Sequence, residues 1–414
     1  MTLWSPIWEV KINGVSYTNF VLANLTIASG RSNIYEQAQA GYCNLQLFNV
    51  SQSQVAININ DSVSVRLKDS AGVFVPIFGG SVTDLGIEIS TAGSVGISQT
   101  VSVTALGALA RLPKALTEGV LSKDFEGNQI LSILTDLLVN NWSEVPAALT
   151  WATYTPATTT WANAENSGLG EIDTPGDYEL TARSSDITDV YSLVSALATS
   201  GLGYIYENAQ GQISYADSTH RSQYLAANGY TDVTANHALA PGIKIQTRAG
   251  DVRNQITIKY KNGSEAFAEN VESVATYGKL AQSIQTSIEN TVDAEYQAEF
   301  YLTLRANPQA NIESITFELT NPELSDEDRD AMINIFMGLP LRISDLPQNM
   351  TSGQFAGFVE GWQFQTAYNS VSVTALLSPL AYSLQALEWR EVSVSESWNT
   401  INPTLTWENA LVVA

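Results

Sequence analysis

Residues Val101–Leu106 read Val-Ser-Val-Thr-Ala-Leu, and residues Val371–Leu376 read Val-Ser-Val-Thr-Ala-Leu again, 270 positions later. The apolar residues alternate with Ser and Thr, the period-two pattern of a half-buried strand. The neighbours of the two copies also correspond. Phe78-Gly79-Gly80-Ser81-Val82-Thr83-Asp84 stands upstream of the first, and Phe355-Ala356-Gly357-Phe358-Val359-Glu360-Gly361 upstream of the second. Further back, Asp61–Val65 faces Leu339–Ile343, and Leu45–Asn49 faces Ile315–Leu319. The segments keep their order, so the chain reads as a duplicated β-domain. A subunit that carries one domain twice can turn a low-order ring into a higher, quasi-symmetric one.

The organisation between the copies follows from periodicity and punctuation. Residues 1–112 form a series of short alternating strands, opened by a hairpin signal at Val10-Lys11-Ile12, Asn13-Gly14 and Val15-Ser16-Tyr17. Closely spaced strands of this kind indicate a β-barrel or sandwich. After Leu112-Pro113 the texture changes. Apolar residues at Ile130, Ile133, Leu134, Leu137 and Leu138 predict an amphipathic helix over Asn128–Asn140. A second helix is expected from Asp186, with Asp189 in capping-box position, and a hairpin over Tyr204–Tyr215. From Lys244 the β pattern returns, interrupted by predicted helices at Asp293–Arg305 and after Ser325. The fold class expected is α+β, mainly β. Its predicted divisions are a first β-barrel at 1–112, a mixed α/β insert at 113–243, a second β-barrel at 244–385, and an arm at 386–414 carrying Trp398 and Trp407.

With 414 residues, 42 acidic against 19 basic, the formal net charge is −23, yet only 15% of residues are charged. The coat is therefore largely Ser, Thr, Asn and Gln, and the acidity argues against holding nucleic acid by phosphate neutralisation. The lone Cys43 is expected to be buried, and no signal peptide or membrane span is read from the sequence. Two histidines, His220 and His237, belong to no metal-spaced set, and no nucleophile elbow, phosphate loop or dinucleotide fingerprint is present. The acids Asp326, Glu327, Asp328 and Asp330 suit the first turn of a helix. No catalytic residue and no cofactor is nominated. Lys244, Arg248, Arg253, Lys259 and Lys261 form the one basic concentration. They are either a solvated strand face or a contact with an acidic partner, another copy of this chain included. Trp398 and Trp407 stand in a Thr- and Pro-containing segment echoed by Trp151 and Trp161. They are either linker aromatics or anchors on a neighbouring subunit.

The strand ending Phe48-Asn49, the Ser-rich link to Asp61-Ser62-Val63, and Phe78-Gly79-Gly80 resemble the first barrel of phage tail hub proteins. These are the baseplate hubs of contractile tails and the tail-tip proteins of non-contractile ones. Asp186–Tyr215 looks like their insert, and Gly338-Leu339-Pro340-Leu341 with Phe355–Gly361 looks like their second barrel. The resemblance implies a non-enzymatic virion protein at the distal end of the tail. It would be a homotrimer whose two tail-tube-like barrels per subunit join a sixfold tube to a threefold tip and line the DNA channel. It also implies a tail tube or distal tail protein, a tape-measure protein and a fibre or spike as partners, with DNA only in transit and no membrane insertion. A carbohydrate-binding tail adhesin and a wall-degrading enzyme remain as other readings of the same chain.

Overall fold

The computed structural model describes residues 4–17, 20–34, 36–51, 53–91, 97–137, 169–239, 243, 245–247, 249–308, 310–346, 353–367 and 370–380. Seven strands open the chain: β1 (Trp8–Ile12), β2 (Val15–Ser16), β3 (Val21–Gly30), β4 (Gln39–Asn49), β5 (Ser62–Lys68), β6 (Phe74–Thr91) and β7 (Ile97–Leu106). They lie side by side in the order β3-β4-β7-β6-β5-β1-β2, each antiparallel to its neighbours. Alternation sets the faces, so β4 turns Cys43, Leu45 and Leu47 into the core and Asn44 and Gln46 away from it. Asn13 (φ 50°) and Gly14 (φ 72°) make the tight turn between β1 and β2 that their sequence signals.

A second set repeats four of these strands. Ser314–Glu318, Ser370–Pro379, Phe355–Ala367 and Pro340–Ser344 neighbour one another as β4, β7, β6 and β5 do. The match extends to register. Val65 opposite Phe78 and Val63 opposite Gly80 become Ile343 opposite Phe355 and Leu341 opposite Gly357. The Asn60 N–H donates to the Val82 carbonyl at 2.8 Å, and the Gly338 N–H to the Val359 carbonyl at 2.7 Å. Asn60 and Gly338 are both left-handed, at φ 70° and 92°. Each long strand then bulges by one residue, Thr83 in the first set and Glu360 in the second. Gly80 and Gly357 are glycines for one reason. A Cβ at either would run into the carbonyl across the hairpin, of Leu106 or Ser378, and into the ring of Phe78 or Phe355.

These features place Val82 at Val359, 277 residues on, with Val82 opposite Ala105 and Val359 opposite Leu377. The offset of the last strand is therefore 272, not the 270 of the identical hexapeptides. The two copies of Val-Ser-Val-Thr-Ala-Leu lie on equivalent strands but are slipped by two residues, Val101 corresponding to Val373. A slip of two keeps every side chain on its own face, whereas a slip of one would expose the core. The other three matched segments hold in register.

The two sets are not identical. β1 runs antiparallel to β5, while its counterpart Thr231–Thr234 runs parallel to Pro340–Ser344. Nor does either set close into a barrel among the described residues. β3 instead pairs with Phe355–Ala367, from Gly30 opposite Gly361 to Leu25 opposite Thr366, so its outer edge is satisfied by the second set. The result is one twelve-stranded open sheet spanning both sets.

Helix α1 (Glu126–Asp136) begins two residues before the expected Asn128 and buries Ile130, Ile133 and Leu134 of its predicted stripe, while residues 138–140 of the expected helix lie outside the described residues. Helix α2 is Val190–Ser200. The second begins later than expected. Asp189 is its N-cap, accepting from the Ser192 N–H at 2.8 Å, because Thr188–Asp189 is first paired as a strand with Leu116–Thr117. Tyr204–Glu207 and Ile213–Ala216 form the expected hairpin. Helices α3 (His220–Asn228) and α4 (Val271–Tyr277) carry no strong apolar period and were not anticipated. Between Thr247 and Ala310 the second set holds a three-stranded sheet of Gln255–Tyr260, Ser264–Glu269 and Ala281–Gln285, backed by helix α5 (Thr291–Arg305). In the first set the same connection is only the link from β3 to β4. Helix α6 (Asp326–Ile333) is capped by Ser325, whose hydroxyl accepts from the Asp328 N–H at 3.0 Å. No helix among the described residues is long and apolar enough to cross a membrane.

Gly30 sits where the two sets join, at φ 92°, and a Cβ there would lie 2.5 Å from the Gly361 Cα. Gly30→Ala is expected to cost at least about 2 kcal/mol in denaturant unfolding, from left-handed strain plus the clash. Gly14→Ala, also left-handed but with nothing within 4 Å of its Cβ, is expected to cost only about 1 kcal/mol.

Candidate assembly interface

The bulge residue Glu360 is fully buried, and its carboxylate is the meeting point of the three parts of the chain. From the first set, Arg31 donates its Nε to Oε2 at 2.7 Å. From the insert, Arg221 on α3 forks onto both oxygens, Nη1 to Oε1 at 2.7 Å and Nη2 to Oε2 at 2.8 Å. Ser378, on the neighbouring strand, donates to Oε1. The ring of Tyr204 lies 4.6 Å from the Arg221 guanidinium and 5.0 Å from that of Arg31, so the surplus positive charge rests on a π face. Burial alone would raise the Glu360 pKa. Arg221 and Arg31 outweigh it and bring the carboxyl down to about 2.

Two more buried carboxylates fix the insert. Glu207 reaches out of its hairpin to accept from the Gly41 N–H at 2.7 Å and from the Leu109 N–H. It occupies the space a Cβ on Gly107 would need. Glu126, at the start of α1, accepts from the Asp177 and Tyr178 N–H groups at 2.7 and 2.8 Å. Burial pushes each of these carboxyls up to about 7 against the pull of its backbone donors. Gly79 completes the docking, because the Gln210 backbone of the insert hairpin lies where its Cβ would be.

Of the residues singled out for contact between subunits, Arg253, Lys259 and Lys261 are among the described residues. Lys244, Arg248, Trp398 and Trp407 lie outside the described residues. Arg253 turns its guanidinium to the Gly250 and Val252 carbonyls at 2.8 and 2.7 Å. Lys259 pairs with Glu265 at 3.5 Å and Lys261 with Glu289 at 2.6 Å, so both find their counter-charge within the chain. The acids of α6 occupy its first turn, and Asp330 binds the Ser70 N–H at 2.8 Å, tying α6 to the first set.

One grouping escaped the sequence reading. Glu171, Asp173 and His220 bring donor atoms within 4.8 Å of one another, although His220 is 47 residues from Asp173. His220 Nδ1 lies 2.8 Å from the Asp173 carboxylate, which also accepts from the Asp217 N–H at 3.0 Å. Burial lowers the His220 pKa, but Asp173 beside it gives a net rise. The arrangement closes the N-terminal end of α3, the helix that delivers Arg221. Its chain separation hid it, since no local spacing announces it.

The sheet also carries an unpaired edge. Beyond the bulge at Thr83, β6 continues to Thr91 paired with β7 on one side only. On the other side β5 ends at Ser62 opposite Ser81, and nothing among the described residues takes its place. In the second set the corresponding stretch, Gly361–Thr366, is paired on both sides.

Two tests follow from these charges. Glu360→Gln leaves two buried guanidiniums without their carboxylate and is expected to cost about 3–5 kcal/mol, measured by urea unfolding. Stability is expected to fall as pH rises from about 4.5 to about 7. In that window folded Glu126 and Glu207 keep protons that the unfolded chain has released. His220 adds a loss above its free value of 6.5, its folded pKa being raised. Thermal melts across this range should show the decline, and Glu207→Gln should flatten part of it.

No family model matches the chain, and no curated protein matches its sequence. Two solved structures are similar in fold. A tail protein from Neisseria meningitidis MC58 aligns over 92% of this chain and 98% of its own, with a TM-score of 0.59 at 10% identity. The 43 kDa tail protein of prophage MuSo2 from Shewanella oneidensis aligns over 91% of this chain and 99% of its own, with a TM-score of 0.58 at 11% identity. The chain shares, over nearly its whole length, the fold of these two tail proteins.

Proposed function

We propose that this chain is a structural component of a phage tail, the hub at its distal end. In this reading three copies close a ring, each contributing two related strand sets to a layer of six. The ring joins a sixfold tail tube to a threefold tip and lines the passage for DNA. The observation that carries the proposal is the internal duplication. Four strands recur with the same neighbours, the same left-handed residue before the second strand, and the same bulge. Such repetition makes two positions of one subunit nearly equivalent, and closed cyclic symmetry then multiplies them. The shared fold with two tail proteins supports the same reading.

The division into a first set at 1–112, an insert at 113–243, a second set at 244–385 and a terminal arm accompanies this proposal, except that Thr231–Thr234, inside the stretch read as insert, joins the sheet of the second set. So does the idea that each open set becomes barrel-like only when a neighbour completes it. The net charge of −23 per chain suits a channel wall, because like charge keeps passing DNA from adhering. The partners that fit are a tail tube or distal tail protein above, a fibre or spike below, and a tape-measure protein within. Nothing in the role requires catalysis, and we assign none.

Native mass spectrometry and electron cryo-microscopy of the assembled particle test the proposal. The expected result is a trimer whose bore exposes more Asp and Glu than Lys and Arg. A stable monomer or dimer in the particle, or a bore lined mainly by Lys and Arg, overturns it.

A further inference from the structure

We infer that the unpaired edge of β6, residues Asp84–Ile89, pairs with the strand Ile245–Thr247 of a second copy of this chain. The internal junction between the sets supplies the template. There, the stretch after the second bulge takes β3 as its partner, with Gly361 opposite Gly30, Trp362 opposite Ser29 and Gln363 opposite Ala28. Asp84, Leu85 and Gly86 are the first-set counterparts of Gly361, Trp362 and Gln363, since the bulges Thr83 and Glu360 coincide.

The second-set counterpart of β3 follows from the offset, although Ile245–Thr247 and Ala310–Ile312 form a two-stranded sheet of their own. Ala28 lies opposite Tyr42 on β4, and Ile245 lies opposite Ile312, which is 270 residues beyond Tyr42. Leu45 and Ile315, at the same offset, occupy equivalent places against β7 and its repeat. The strand Ile245–Thr247 therefore stands to the second set as the end of β3 stands to the first. It pairs on one side with Ala310–Ile312, and no other strand flanks it among the described residues. Each subunit thus presents one half of the internal junction at each of two places that do not pair with each other among the described residues, and a second copy can supply the missing half of each.

Burial at the two long strands agrees. Trp362 and Phe364 are 3% and 0% exposed in the junction, whereas Ile87 and Ile89, on the same face of β6, are 46% and 61% exposed. Apolar residues on a free strand edge are an aggregation hazard unless a partner covers them. Charge agrees as well. The β6 edge carries Asp84 and Glu88, and in sequence Ile245–Thr247 is bracketed by Lys244 and Arg248. The expected contacts are Asp84 opposite Thr247, Leu85 opposite Gln246 and Gly86 opposite Ile245, antiparallel. The number of copies in the closed assembly rests on the hub proposal, but the pairing does not.

Cysteine cross-linking of the full chain tests the register. Gly86 has open space for a side chain, the nearest atom to its Cβ being 3.9 Å away. In the double variant Gly86→Cys, Ile245→Cys, oxidation is expected to join separate chains, read by non-reducing gel and intact mass. Glu88→Cys with Ile245→Cys, out of register, is expected to cross-link several-fold less. Charge reversal provides a second readout. Asp84→Lys with Glu88→Lys should weaken assembly about tenfold, and adding Lys244→Glu with Arg248→Glu should restore it. Assembly that persists in native mass spectrometry while Gly86→Cys, Ile245→Cys fails to cross-link overturns the pairing and leaves the hub proposal standing. An unsubstituted chain that stays monomeric at all concentrations overturns both.

Discussion

One carboxylate binds the molecule together. Glu360 accepts hydrogen bonds from Arg31, Arg221 and Ser378, groups that arrive from both strand sets and from the insert. A buried ion pair is not in itself evidence of high stability, because two desolvated charges recover little beyond what they cost. Its value lies in what it forbids. A guanidinium left in the interior without a carboxylate is so unfavourable that any packing of the three parts that separates Arg31 or Arg221 from Glu360 is excluded. The remaining contacts at the junction, the absent Cβ of Gly30 and the Tyr204 ring beneath both arginines, fit around that requirement.

The same backbone device is put to two uses. The one-residue bulge places Thr83 in the first set, where its hydroxyl donates to the Thr104 carbonyl at 3.2 Å. In the second set it places Glu360 and aims a carboxylate inward. A bulge re-aims one side chain while the strand on either side keeps its alternation. That is how a duplicated sheet acquired a docking point for the insert in one copy and left it out of the other. The insert is held to the first set differently, by Glu207 on the Gly41 and Leu109 backbone and by the close approach that Gly79 permits.

Local signals in the sequence were legible and long-range ones were not. Alternation revealed the strands, Asn13-Gly14 the first turn, and Ser325 the cap of α6, because each depends on a handful of adjacent residues. Phe78-Gly79-Gly80 was visible as a motif, but its cause, the backbone of Gln210 and the carbonyl of Leu106, is remote in the chain. The duplication was legible through its hexapeptide even though that identity is out of register. Val and Ala exchange freely at inward positions, so a two-residue slip leaves no mark on the pattern. Glu360 could not be picked out, since Arg31 is 329 residues away and Arg221 is 139. The sheet between Thr247 and Ala310 was absorbed into the second set for a similar reason. Its strands alternate like the others, and only pairing shows that they form a separate sheet.

The offset between the sets falls from 277 on the long strand to 272 on the strand that follows, so the connection at the far end of the second hairpin is five residues shorter. The first set therefore carries the longer projection. In a closed ring of such chains, long and short hairpins would alternate around one rim, while the strands behind them repeat almost evenly. The wall would look sixfold to a tube seated on it, and the rim would look threefold to whatever meets those hairpins. In the ring we propose, a difference of five residues between two hairpins would make one surface legible in two symmetries.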